Sequence, residues 1–308
     1  MKLFGRRAAG RRLRVLGDDI VRYMGQRVVW TSVFADGPGG GNPCPVVFGA
    51  DGRPDEELQA EAAGFGAETV FVLPPQSTGD MRLRYFVPAH EMEMCVHATI
   101  AASVLLGRAG DLPQKRARVE TPLGTLGVTW SVDAAVVDQF APVFGAEVAD
   151  VSRIASALRI APGSITGLVR SVSASRPKLM VPLPTEAVLD SLAPDYELLW
   201  QVCDELGVTG FYPYTQAADG ADVAARQFPR RAGYVEDPAT GVAAAALAAH
   251  LALGVPNPGW HIWRTAQGRA IGRPSVLSAE AHVDGSGTIT ATRVGGTAHT
   301  QQRDARGL

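Results

Sequence analysis

The segment Glu236–Leu251 reads EDPATGVAAAALAAHL. From Val242 to Leu253 its side chains are apolar almost all the way round a helix, so the helix has no face for water and must be buried. An earlier segment, Cys95–Leu106 (CVHATIAASVLL), has the same character. Each follows an acidic turn, and upstream of each lie strands and an amphipathic helix, Asp55–Ala63 before the first and Pro194–Leu206 before the second. The order is repeated along the chain. The simplest architecture is an α+β fold of two pseudo-symmetric domains, each a curved sheet wrapped around a central apolar helix. Residues 27–132 with 292–308 are expected in the first domain and residues 133–291 in the second. The two helix starts, on the Cys95 side and the Asp237 side, would then face each other across a cleft.

Working outward, β-branched and aromatic runs predict strands at Arg27–Phe34, Thr69–Leu73, Met81–Phe86, Arg118–Thr121 and Gly127–Ser131. Pro45–Gly49 reads as another. In the second half, strands are predicted at Gly167–Val172, Lys178–Val181, Gly210–Tyr214, Val223–Gln227, Ser275–Ala281 and Thr288–Val294, and the second apolar helix at Pro238–Leu253. Asp36–Pro43 (DGPGGGNP) is a turn. Its glycines lack the spacing of a phosphate-binding loop or a dinucleotide fingerprint.

A chain of 308 residues with 46% hydrophobic and 19% charged residues has ample material for a core and is not intrinsically disordered. A net charge of −2 gives no basic field for nucleic acid, and no apolar run approaches the roughly 20 residues that span a bilayer. Three cysteines (Cys44, Cys95, Cys203) make neither a disulfide framework nor the Cys-x-x-Cys steps of a zinc site, so no metal is expected and a cytoplasmic setting is the default. Residues 1–26 are basic and lack the apolar core of a signal peptide; they read as an extension, poorly ordered, ahead of an organised chain starting at Arg27.

The unpaired N–H groups and partial positive charge of a helix start form a cradle for a carboxylate or an oxyanion. Two such starts around one pocket would stabilise charge that develops when a proton leaves carbon. The acid/base candidates beside them are Cys95, His97 and Asp237, with Glu68 from elsewhere in the chain. Each also has a plainer reading. Asp237 before Pro238 is an ordinary N-cap and N1 pair. His97 is a hydrogen-bonded core histidine. Cys95 is an inert buried thiol, unless the helix start lowers its pKa. Glu68, ahead of the apolar strand TVFVL, is either a solvated edge or a desolvated carboxyl with a raised pKa, near about 6–7 if it serves as both base and acid.

Five segments taken together carry a resemblance: Val33–Phe48 (VFADGPGGGNPCPVVF), Ala67–Pro74 (AETVFVLP), Arg84–Ala102 (RYFVPAHEMEMCVHATIAA), Glu236–Leu251, and Ala266–Ser275 (AQGRAIGRPS). In order and spacing, from about Arg27 to Gly296, the chain resembles the PhzF-like proteins, relatives of diaminopimelate epimerase. The resemblance implies two diaminopimelate-epimerase-like domains, a site in the cleft between them, and proton transfer without a cofactor. It matches Glu68 to the family's acid/base glutamate, His97 to its helix-start histidine and Asp237 to the aspartate of its D-P-x-T-G block. It implies substrate contacts at Asn42, Val96, Ala98, Thr99, Ala239, Thr240, Gly241 and Val242. Epimerases of the wider group use two cysteines; here Cys95 matches the first and Asp237 stands at the second, which disfavours a two-cysteine racemase. The usual C-G-H-A-T block reads Cys95-Val96-His97-Ala98-Thr99, and Val242 stands where serine is common, so the site is more apolar and narrower than the family's ordinary one.

The reading that follows is an isomerase acting on a small carboxylate-bearing molecule of specialised, antibiotic-like metabolism. Its partner is a small-molecule substrate rather than nucleic acid or membrane, and the family resemblance implies a homodimer. Two alternatives stay open: an epimerase with an unlike cysteine/carboxylate pair, and a binding protein that keeps the fold without the chemistry.

Overall fold

A computed structural model describes residues 21–23, 26–112 and 115–301. The first half runs β1 (Val21–Tyr23), β2 (Gln26–Val33), β3 (Asn42–Phe48), α1 (Asp55–Phe65), β4 (Thr69–Leu73), β5 (Met81–Phe86), β6 (Glu91–Met92), α2 (Val96–Arg108), β7 (Arg116–Thr121), β8 (Gly124–Trp130) and β9 (Ala134–Asp138). The second half runs β10 (Val143–Glu147), α3 (Ser152–Leu158), β11 (Arg170–Ser173), β12 (Lys178–Pro182), α4 (Glu186–Asp190), α5 (Tyr196–Leu206), β13 (Gly210–Gln216), β14 (Val223–Ala225), β15 (Phe228–Pro229), α6 (Gly241–Ala252), β16 (Gly259–Gln267), β17 (Ser275–Val283) and β18 (Ile289–Thr300). Among the described residues the result is a mixed fold of six α-helices and one large, continuously hydrogen-bonded sheet.

Pairing repeats between the halves. β3 lies parallel to β4 across α1, and β12 parallel to β13 across α4 and α5. β4 pairs antiparallel with β5, as β13 does with β14. β5 lies parallel to β7 across α2, and β14 parallel to β16 across α6. Antiparallel ladders β7–β8–β9 and β16–β17–β18 finish each half. α2 packs on β2, β3, β4, β8, β9 and β18, whereas α6 packs on β11, β12, β16, β17 and β18. Both helices are almost wholly buried, as their all-round apolar sequences require, and their first turns meet. The long last strand is shared: β18 pairs with β17, β9 and β2.

Several boundaries differ from the sequence expectations. The organised chain begins before Arg27, since β1 pairs with β2, and the expectation for residues 1–20 lies outside the described residues. β3 starts at Asn42 despite Pro43 and Pro45. Both prolines lie where β3 is paired only with β2, so their missing N–H groups remove no bond to β4. β16 was not predicted because Trp260 and Ile262 face solvent, which inverts the usual alternation. β9, β10, α3 and α4 were likewise missed. The Gly-rich turn is structural: the N–H groups of Asp36 and Gly41 donate to Pro274 O (3.0 and 3.1 Å), and a side chain on Gly40 would strike that oxygen. Among the described residues no helix is long and apolar enough to cross a membrane.

Candidate active site

The start of α2 is built by its own first turn. Cys95 is the extended N-cap residue, and the Thr99 hydroxyl donates to Cys95 O (2.7 Å) while sharing a hydrogen bond with the Tyr85 hydroxyl (2.8 Å). Thr99 is thereby committed to the helix. The Cys95 thiol donates to Glu68 Oε2 (3.0 Å) and lies 3.3 Å from His97 Nδ1, which is 3.5 Å from the same carboxylate oxygen. The other oxygen, Oε1, accepts from the Tyr234 hydroxyl. Among the described residues, Glu68, Cys95 and His97 are the grouping whose donor atoms lie close enough, within 4.8 Å, to hold a metal ion.

The second helix begins at Gly241, with Thr240 as its N-cap, not at Pro238. Asp237 is therefore no N-cap. Its N–H donates to Gln227 O (3.0 Å) in an isolated β-bridge, and Gln267 Nε2 donates to its carbonyl (2.7 Å), which holds this residue outside the helix. Freed from capping, its carboxyl faces inward. Asn42 Nδ2 donates to Asp237 Oδ1 (2.6 Å) and to Ala239 O (2.9 Å), and the Thr240 hydroxyl donates to Oδ2. Asn42 thus ties β3 to the approach of α6.

A narrow pocket of about 30 Å³ lies between the two helix starts. Glu68, Cys95, Val96, His97 and Asp237 line it, with Thr240, Gly241 and Val242 on the α6 side. A second pocket of about 190 Å³ borders Glu68 and Asp237 from the side of Asn42 and Arg273. The structure brings all four acid/base candidates together. Ala98, Thr99 and Ala239 do not line either pocket. The N–H of Ala98 faces the Cys95 sulfur, that of Ala239 faces the Asp237 carboxyl, and that of Thr240 is directed at Gln267 Oε1 (3.3 Å). Val96, His97, Gly241 and Val242 line the pocket and stand in the first turns of α2 and α6, where N–H groups lack intrahelical partners.

The charge states depart from the sequence expectations. Burial would push the Glu68 carboxyl up, but the His97 ring, the Tyr234 hydroxyl and the Cys95 thiol together outweigh it and leave it below its usual range. Burial likewise holds His97 below its ordinary value, against the pull of the Glu68 carboxylate. Cys95 is not activated by the helix start: burial, then the Glu68 carboxylate, pushes the thiol well up. Asp237 is the carboxyl that rises, to about 8, through burial first and the Glu68 charge second. At neutral pH Glu68 is the anion and Asp237 holds a proton.

This has a measurable consequence. In the unfolded chain Asp237 ionises near 3.8. Its raised folded value favours the fold fully below that pH, and the contribution is lost as pH rises through about 8. The melting temperature of the wild type should fall from pH 5 to pH 9 by more than that of Asp237→Asn, which cannot ionise. Equal slopes would contradict the assignment.

Val96 fills the space where the helix starts approach. A β-carbon built on Gly241 would lie 2.5 Å from Val96 Cβ, so these positions are sterically linked. Gly241→Ala should cost about 1–3 kcal/mol in urea denaturation. Val96→Gly in the same chain should recover most of it; a double variant no better than Gly241→Ala would refute the contact.

Sequence reasoning missed Tyr234, Arg176, Lys178 and the ion pair of Arg226 with Glu236. Tyr234 stands three residues before Asp237, close enough to have been considered. Lys178 had a clear signal: it is one of three lysines, set in the apolar run LMVP.

The model of the phenazine biosynthesis-like family (PhzC-PhzF) matches residues 31–303. An uncharacterised isomerase of Deinococcus radiodurans is 32% identical over 289 residues, 90% of this chain and 93% of that protein. The trans-2,3-dihydro-3-hydroxyanthranilate isomerase of Pseudomonas chlororaphis is 34% identical over 255 residues, 80% of this chain and 87% of its own. The crystal structure of a PhzF-family phenazine biosynthesis protein from Bacillus anthracis superposes with a TM-score of 0.81 at 26% identity, covering 89% of this chain and 96% of that one.

Proposed function

The chain belongs to the phenazine biosynthesis-like family and is an isomerase of that type, and from this premise we propose that Glu68 moves a proton, and with it a double bond, within a small unsaturated carboxylate. The observation that carries the assignment is the Glu68 carboxyl, held by Tyr234 and Cys95 at a pocket between two helix starts. In the first step a Glu68 oxygen takes a proton from carbon: the C–H bond breaks, an O–H bond forms, and the electron pair enters the conjugated system. In the second step the same carboxyl returns the proton to another carbon of that system, and the double bond settles at its new position. The N–H groups of Val96, His97, Gly241 and Val242 hold the substrate carboxylate and the charge that spreads into it. Protonated Asp237 adds no second negative charge. His97 and Cys95 orient Glu68. No cofactor enters these steps.

The repeated pairing order supports two similar domains, each wrapped around α2 or α6, with β9 (Ala134–Asp138), which packs on α2, falling in the first, and catalysis in the cleft between them. The substrate class is a cyclic or dihydroaromatic carboxylate of specialised metabolism, like the dihydrohydroxyanthranilate of the Pseudomonas chlororaphis relative's name but narrowed by Val96. A cytoplasmic homodimer acting on this small molecule, and on neither nucleic acid nor membrane, completes the proposal; light scattering tests the assembly.

Incubation in D₂O with dihydroaromatic and unsaturated proline-like carboxylates, followed by NMR, tests the chemistry. Deuterium should appear at the carbon that gains the proton, with the double bond displaced. Uptake with inversion and no bond shift would mark an epimerase instead. Binding with no uptake would mark a protein that keeps only the cleft.

A further inference from the structure

The pocket has a cationic wall that the proton transfer does not use. Lys178, at the start of β12, and Arg176, two residues earlier, both line it. Lys178 is 2% exposed. An ammonium group has three donors to place. Among the described residues its one acceptor is Thr209 O, at 3.4 Å, and that oxygen already accepts the Arg230 N–H at 3.1 Å. Among the described residues it forms no ion pair with a carboxylate, and Asp237 and Glu68, which line the same pocket, favour its charge only at longer range. Arg176 Nε lies 3.2 Å from Glu93 Oε2 without an aligned hydrogen bond, and its Nη1 donates to Met92 Sδ.

A buried cation with one long, shared hydrogen bond is costly in a site that is already folded. Burial and the neighbouring Arg176 charge accordingly push Lys178 down to about 7. An oxyanion entering the pocket would remove that cost by filling the open donors and restoring the full charge. The helix starts already supply donors for one carboxylate, and Lys178 lies on a different element.

We propose that Lys178, with Arg176 beside it, binds a second acidic group of the substrate, so that the substrate is a small dianion carrying one carboxylate for the helix starts and one further carboxylate or phosphate-like group for the lysine. The proposal rests on reading this pocket as the substrate site, but its test needs no turnover.

Titration calorimetry on the full chain would compare propionate, succinate and 3-phosphonopropionate. Succinate, 3-phosphonopropionate or both should bind about tenfold or more tightly than propionate, and the tighter dianion identifies the second group as carboxylate or phosphate-like. That advantage should vanish in Lys178→Met and survive in part in Lys178→Arg, while propionate binding stays unchanged in both. Equal affinities in the wild type, no binding of either dianion, or a preference retained in Lys178→Met would overturn the proposal. Should Lys178→Met fail to fold, the wild type suffices. The chain has three lysines, so ¹⁵N labelling resolves each side-chain amine by NMR. The Lys178 resonance should shift with a dianion and stay in place with propionate; an unmoved resonance overturns the assignment. If Glu68→Gln left deuterium uptake intact, the isomerase mechanism would fall while the dianion preference stood.

Discussion

Glu68→Gln is expected to lower deuterium uptake by about 10²–10⁴-fold, the usual contribution of a positioned acid/base group. Glutamine keeps the length and planarity of the side chain, so Tyr234 and Cys95 retain a neighbour to contact, but an amide cannot take a proton from carbon. Stability should change little, since the substitution also removes one buried negative charge from beside Asp237. A second signature separates lost chemistry from a disturbed fold. Asp237 is pushed up partly by the Glu68 charge, so in Glu68→Gln it should titrate at lower pH than in the wild type. Following the Asp237 carboxyl carbon by NMR checks this. Uptake at the wild-type rate would sink the mechanism, and an unmoved Asp237 titration would sink the coupling.

Arg226→Met should destabilise the protein by about 3–5 kcal/mol, because it strands a buried carboxylate. Arg226 forks onto Glu236, Nε to Oε1 at 2.9 Å and Nη2 to Oε2 at 2.6 Å. Its Nη1 donates to the carbonyls of Leu189 (3.1 Å), Asp190 (3.2 Å) and Leu192 (2.9 Å) around the end of α4. Both side chains are nearly inaccessible. Glu236 lies between Tyr234 and Asp237, so the fork fixes the segment that carries two site residues. Activity should fall with stability for this reason. Adding Glu236→Leu removes the stranded charge and should return much of the lost stability, though not the order of the segment. A single variant that denatures at the wild-type urea concentration would contradict the account.

Cys95, His97 and Asp237 were legible because helix starts and their flanking residues are local in sequence, and Glu68 because it stands at the start of an apolar strand. Their states of charge were not. Glu68 is held down by Tyr234, 166 residues away in the chain, and Asp237 takes its position from Gln227, Gln267 and Asn42. The N-cap reading of Asp237 followed a sound local rule, and a β-bridge overrode it. The apolar helices and the repeat were readable from composition and order. β16 was not, since its aromatic and β-branched face points to water. Lys178 escaped notice because a lysine in a strand is ordinarily solvated, although the apolar run that follows it points to burial.

The shared last strand governs how the molecule is made. β18 closes ladders with strands that begin at residue 26 and at residue 134, so the sheet is not complete until residue 300 has been synthesised. The nascent chain must carry unpaired edges of β2, β9 and β17 until then, and closing them joins ends about 270 residues apart, a slow, high-contact-order step. Truncation before Ile289 would leave three strand edges open at once and produce aggregation in place of a smaller folded unit.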